Sequence, residues 1–162
     1  MPLATIDTGT ATFVLRRARR DDLPALIDLL AADALRANDD SASPEQRGHY
    51  ETAFEAIDRE SSHTLVTVED ASGSIVGTMQ LTLIPGLARG GATRLQIEAV
   101  RVGESARGDG LGTAMLRWAI DDARARGAAL VQLTSDLRRE DAHRFYERLG
   151  FTASHAGFKL FL

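Results

Sequence analysis

The stretch from Arg94 to Arg126 constrains the fold more than any other part of the chain. Arg94–Val102 reads as a strand, and Gly103–Asp109 is polar and contains glycine. From Leu111 to about Arg126, Leu111, Met115, Trp118, Ala119 and Ala123 recur at helical spacing, and Gly127 follows as a C-cap. A strand that empties into a glycine-containing turn and then into an amphipathic helix is half of a crossover. Ala129–Thr134 supplies the second strand, so these two strands are expected in parallel.

The rest of the chain does not repeat that unit. Thr12–Arg19 reads as a strand; Asp21 or Asp22 then caps a helix with Pro24 in its first turn and Leu23, Leu26, Ile27, Leu30 and Ala34 as its buried stripe. Ala37–Ser43 is turn-like, and Pro44 opens a second helix to about Arg59 with Tyr50, Phe54 and Ile57 on one face. His63–Glu69 and Ile75–Leu83 form an antiparallel hairpin about Gly73. Pro85, Gly86, Gly90 and Gly91 mark an irregular loop, Arg139–Arg148 a short helix stopped by Gly150, and Phe151–Leu162 one or two final strands. Residues 1–11 read as a loose N-terminal tail, which leaves 12–162 as one domain. Hairpins beside a crossover predict an α/β fold of the α+β type: a mixed, mostly antiparallel central sheet flanked by about four helices.

The turn after Val102 carries the chemistry. The first amides of the following helix have no partner inside it and, with the helix dipole, make an anion site. Gly108, Gly110 and Gly112 let backbone approach phosphate oxygens, and Arg107 adds a positive charge. The natural ligand is a diphosphate. A nucleoside-triphosphate loop would require a lysine that is missing here. A dinucleotide fingerprint fits Gly108 and Gly110 but meets Thr113 where it needs glycine, although Asp136 stands where its ribose-binding acid would.

Arg107-x-x-Gly110-x-Gly112 resembles the Arg/Gln-x-x-Gly-x-Gly/Ala motif of the GNAT N-acetyltransferases. Ala142-His-Arg-Phe-Tyr146-Glu-Arg-Leu-Gly150-Phe151 is similar to that family's second conserved segment, and the element order matches its fold over nearly the whole chain. The resemblance implies acetyl-CoA as co-substrate. Its pantetheine arm would pair with backbone at Val100 and Val102, beside a bulge where the strand splays from its neighbour. Its diphosphate would lie on the amides of Arg107, Gly108, Asp109, Gly110, Leu111, Gly112 and Thr113. One position departs from the pattern: Arg139 stands where many members carry an asparagine that holds the pantetheine. Arg139 either reaches a phosphate or is an exposed helix arginine.

Acetyl transfer to an amine requires protonation of the leaving thiolate and deprotonation of the amine. Following the family pattern, Tyr146 is the expected general acid and Glu98 the candidate base. The plainer alternatives are a core aromatic for Tyr146 and a carboxylate paired with Arg101 or Arg94 for Glu98. Asp141–Tyr146 followed by Ser154-His155 resembles the C-terminus of the aminoalkylphosphonate N-acetyltransferases, which implies that His143 and His155 lie near the acceptor.

With no cysteine and four scattered histidines, no dedicated metal site is expected, and the composition fits a cytoplasmic protein. The net charge of −4 argues against a nucleic-acid partner, and no apolar run is long enough to suggest a membrane partner. The acceptor is expected to be a small-molecule amine, and the apolar Phe158–Leu162 segment is a candidate to pair across a homodimer. The competing reading is a non-catalytic module of the same fold that senses acetyl-CoA or another effector.

Overall fold

The computed structural model of the chain, which describes residues 1–33, 40–41 and 43–162, builds one six-stranded sheet. Its strands are β1 Pro2–Asp7, β2 Thr12–Arg17, β3 His63–Glu69, β4 Ile75–Ile84, β5 Arg94–Val102 and β6 Leu130–Leu133, and they lie side by side in chain order. All neighbours are antiparallel except β5 and β6, which are joined by the crossover and run parallel. The helices are α1 Leu23–Ala31, α2 Pro44–Arg59, the single turn α3 Ala88–Gly91, α4 Leu111–Ala125 and α5 Glu140–Arg148. Among the described residues no helix is long and apolar enough to cross a membrane.

Strand alternation gives the sheet two differently used faces. On one, Leu15, Val66, Val68, Met79, Leu81, Leu95 and Ile97 bury themselves against Leu111, Met115, Leu116, Ala119 and Ala123 of α4. Gly77 lets α4 settle there, since a Cβ at that position would lie 3.3 Å from Val68 Cβ and 3.4 Å from Met115 Sδ. On the other face Ala18, Leu26 and Phe54 join Leu65 and Ile75 beneath α1 and α2. The entry to α1 is tied to the sheet by Arg16, whose Nη1 and Nη2 reach Asp22 at 2.6 and 2.9 Å and whose Nε and Nη2 reach Glu69 at 2.8 and 2.6 Å. Asp22 is therefore spent on Arg16 and on the Arg19 amide, and makes no side-chain cap bond to α1.

Two expectations are corrected. The N-terminal segment is not a loose tail: Pro2–Asp7 is an edge strand paired with β2 through a turn closed by Thr8 N–H on Ala11 C=O at 3.0 Å. Its signal was the turn Asp7-Thr-Gly9, with Gly9 at a φ of 83°, while Ala4 and Ile6 are small apolar contributions to the core. Conversely, Phe151–Leu162 forms no strand. Its apolar residues favour extended backbone, but a strand needs a partner edge. The segment passes Thr134 at Gly157 and leaves Phe158, Leu160, Phe161 and Leu162 exposed. The turn expected at Ala37–Ser43 and the inward Ala34 fall largely outside the described residues.

Candidate active site

The site begins where β5 leaves its neighbours. β5 pairs with β6 only from Arg94 to Ile97, opposite Leu130 to Leu133. Beyond Ile97 the two strands part, so Glu98–Val102 line a gap. On the other side, the register with β4 skips between Thr78 and Gln80, which face Arg101 and Glu98. Ala99 and Val100 thus oppose the single residue Met79, which is a β-bulge. Ala99 carries it with a φ of 52°, a left-handed conformation that costs a residue with a Cβ.

The bulge changes which way the strand's side chains face. Leu95 and Ile97 belong to the α4 side, and after one extra residue Val100 and Val102 pack against that side as well. Gln96, Glu98 and Arg101 therefore fall on the opposite, α1 side.

The turn that follows is pinned at its start. Gly103 N–H donates to Val76 C=O at 2.7 Å, and Ala106 is buried. Arg107 N–H donates to Glu104 C=O at 3.2 Å, so of the residues expected to line the anion site Arg107 offers its exposed guanidinium and not its amide. Gly108 and Gly110 have φ of 90° and 76°, and nothing lies within 4 Å of where their Cβ atoms would be. The first backbone bond entering α4 is Ala114 N–H to Gly110 C=O at 3.1 Å, so the amides of Leu111, Gly112 and Thr113 precede it. Leu111 is buried and anchors the helix start; Asp109 receives Thr10 Oγ1 on its carbonyl at 3.4 Å. Gly112 sits between Phe145 Cζ and Val102 Cγ2, which a Cβ would meet at 3.7 and 3.8 Å. That small residue lets α5 approach α4.

On α5, Tyr146 is half-buried between Phe145 and Phe151, with ring centroids 5.3 and 6.0 Å away. Burial raises its phenol above the usual value, and the positive charges of Arg101 and Arg139 work against that rise. Those two arginines converge on one buried carboxylate. Arg101 Nη2 lies 2.9 Å from Asp33 Oδ2, and Arg139 Nη2 bonds the same oxygen. Asp33 follows the end of α1, Arg101 lies on the splayed part of β5, and Arg139 caps the start of α5. No short spacing in the chain announces this cluster; only Arg139 stood out in the sequence.

The remaining candidates are placed as follows. Glu98 is exposed at the opening of the gap, opposite Gln80, and among the described residues it makes no ion pair with Arg94 or Arg101. His143 lies three residues before Tyr146, but its Nε2 donates to Asp136 C=O at 2.9 Å and ties α5 to the preceding loop. His155 is exposed on the C-terminal segment, with Nδ1 2.7 Å from Ser154 Oγ. Asp136 is held by Arg138, which keeps its carboxyl well below the ordinary range.

Residues 23–151 match the acetyltransferase (GNAT) family model. The chain is 46% identical over 52 residues to an aminoalkylphosphonate N-acetyltransferase of Salmonella typhimurium, covering 32% of this chain and 34% of that protein. It is 37% identical over 97 residues to a glucosamine 6-phosphate N-acetyltransferase of Trypanosoma brucei brucei, covering 60% of this chain and 64% of that protein. These matches thus span about a third and somewhat under two thirds of those curated relatives. Among solved structures, a protein of Bacillus halodurans described as a transcriptional regulator superposes with a TM-score of 0.88 at 38% identity, over 93% of this chain and 99% of that one.

Proposed function

This chain belongs to the acetyltransferase (GNAT) family, and on that premise we propose that it transfers the acetyl group of acetyl-CoA to a primary amine of a small molecule. The observation that carries the proposal is the parting of β5 from β6 after Ile97, with Tyr146 close enough to feel the charge of Arg101 on that part of β5. The residues present fit the co-substrate. The amides of Leu111, Gly112 and Thr113, with the open backbone of Gly108, Asp109 and Gly110 and the guanidinium of Arg107, suit a diphosphate. Backbone at Val100 and Val102 suits the amide-bearing pantetheine arm. When bound, acetyl-CoA supplies an acyl group activated as a thioester.

The chain's own groups divide the proton transfers. Glu98, exposed at the opening of the gap, accepts the proton of the acceptor amine, directly or through a water, so that a neutral amine attacks. Tyr146 Oη holds its proton through neutral pH because burial favours the uncharged phenol, and delivers it to the departing sulfur. The nearby arginine charges keep that phenol from becoming too weak an acid for a thiolate, whose own pKa is about 8.5.

For the acceptor, the two curated relatives are named for amines that also carry a phosphorus oxyanion, and we extend that class to this chain. The test is free-thiol release from acetyl-CoA against an amine panel. Turnover on aminophosphonates or amino-sugar phosphates is the expected result. The relative described as a transcriptional regulator favours a second reading, an acetyl-CoA-sensing module; thermal stabilisation by acetyl-CoA with no thiol released from any amine would select it. We place the reaction in the cytoplasm, where acetyl-CoA is supplied.

The exposed Phe158, Leu160, Phe161 and Leu162 support a homodimer in which these segments pair across two copies. Sedimentation should find a dimer for the full chain and a monomer for a chain ending at Ala156.

A further inference from the structure

We infer that Arg139, anchored on Asp33 beside Arg101, forms the subsite for the oxyanion of the acceptor, so that a doubly charged phosphonate or phosphate on the amine is what the cleft selects. The inference rests on the proposed acetyl transfer and assigns residues to its acceptor side.

Three observations carry it. First, the cluster joins three elements at the place where β5 and β6 part: the end of α1, the splayed part of β5 and the start of α5. Second, the charges of Arg101 and Arg139 are felt at the Tyr146 phenol, so both guanidiniums lie close to the group that serves the reacting centre. Third, the bulge at Ala99 puts Arg101 on the α1 face, whereas the amides suited to the cofactor's diphosphate open α4 on the other face. The arginine pair is therefore separated from the cofactor's anion site.

Asp33 gives the pair its geometry. Its side chain is 5% exposed, and one oxygen accepts from both arginines. A guanidinium has five N–H donors in a planar fork. Arg139 gives Nη2 to Asp33 while its side chain remains 30% exposed, so the rest of its fork is partly open and already oriented. Pre-oriented guanidiniums suit oxyanions with two or three oxygens to share, since such bonds are charge-assisted and bidentate. A phosphonate offers both the oxygens and the second negative charge; a carboxylate offers less, and a plain alkylamine nothing.

The experiment uses the full chain, as wild type, Arg139→Ala and Arg139→Lys. Each is assayed with acetyl-CoA and three acceptors of equal chain length: an ω-aminoalkylphosphonate, an ω-aminocarboxylate and an alkylamine. The wild type should prefer the phosphonate to the alkylamine by about tenfold or more in kcat/KM, the size expected for one charge-assisted contact. Arg139→Ala should lose that preference through the acceptor KM, the ratio of phosphonate to alkylamine kcat/KM falling toward one while the KM for acetyl-CoA stays near wild type. Arg139→Lys should recover part of it. A preference that survives in Arg139→Ala overturns the inference, as does a loss that falls on the acetyl-CoA KM.

Calorimetric titration of the phosphonate separates this inference from the catalytic proposal. Should the wild type release no thiol with any amine, phosphonate binding that disappears in Arg139→Ala still supports the subsite, and an absence of binding overturns it. Arg139→Lys, which retains the bond donor to Asp33, serves where the alanine variant does not fold.

Discussion

Each end of α1 carries an arginine–aspartate cluster, and the two are built in opposite proportions. At the N-terminal end Arg16 lies between Asp22 and Glu69; at the C-terminal end Asp33 lies between Arg101 and Arg139. The order follows the helix dipole, which favours acid at the start and base at the end. In the first cluster all five guanidinium donors of Arg16 are used, on two carboxylates and the carbonyl of Arg17. It is a closed knot that fixes α1 to the sheet. In the second, among the described residues, Asp33 accepts from both forks, Arg101 also gives Nη1 to the Val100 carbonyl at 2.9 Å, and Arg139 stays partly exposed. The same residue types thus hold the fold together at one end of the helix and, on the proposed mechanism, serve the chemistry at the other.

That contrast can be broken by experiment. The largest expected effect is on stability at the closed knot. Arg16→Met strands two carboxylates, one of them buried, and should cost about 3–5 kcal/mol, read as a large fall in Tm. Activity per folded molecule should persist. A variant that melts like the wild type would show that the knot is not what secures α1.

Next comes the group that the open cluster faces. Tyr146→Phe should bind acetyl-CoA with unchanged affinity yet lose about 100-fold in kcat, the lower end for a general acid. Full activity would remove Tyr146 from the mechanism and leave it a core aromatic.

A smaller effect tests the electrostatic link. Arg101 and Arg139 lower a phenol pKa that burial raises. In Arg139→Gln the phenolate loses a stabilising charge, so the phenol pKa should rise. The alkaline limb of the pH–rate profile, where activity is lost as Tyr146 deprotonates, should then move to higher pH. A limb that stays in place would mean that the open cluster does not act on Tyr146.

The smallest effect sharpens the comparison. Ala99→Gly relieves a left-handed residue at the bulge that turns Arg101 toward Asp33. It should stabilise the chain by up to about 1 kcal/mol and leave kinetics unchanged, the relief being partly offset by the flexibility glycine adds to the unfolded chain. Ala99→Val, with a β-branched side chain at the same φ, should destabilise it.

How much was legible in the sequence varies along the chain. Pro44–Arg59, His63–Glu69 and Arg94–Val102 were readable to the residue, because periodicity and capping are written within a few positions. The glycine-rich turn between β5 and α4 was readable for the same reason. Its one adjustment, the Arg107 amide turned inward to Glu104, depends on a helical turn too short to leave a pattern. The bulge left a trace that a strict alternation count would have found: Leu95, Ile97, Val100 and Val102 break step at Ala99. Pro2–Asp7 was missed because an edge strand with one exposed face needs little apolar sequence, and Phe151–Leu162 was overread because apolar residues do not supply the edge they need.

The sequence by itself determined most of the elements and their order, the glycine-rich turn between β5 and α4, and the segment that carries Tyr146. Each is an outcome of backbone and side-chain preferences acting over a turn or two of chain. Only the tertiary structure decided that β5 parts from β6 after Ile97, that His143 is committed to a loop carbonyl, and that Asp33 gathers Arg101 and Arg139. Those outcomes depend on which strands become neighbours and which face a bulge turns toward which helix. Charges distant in sequence meet only once the sheet has set that geometry.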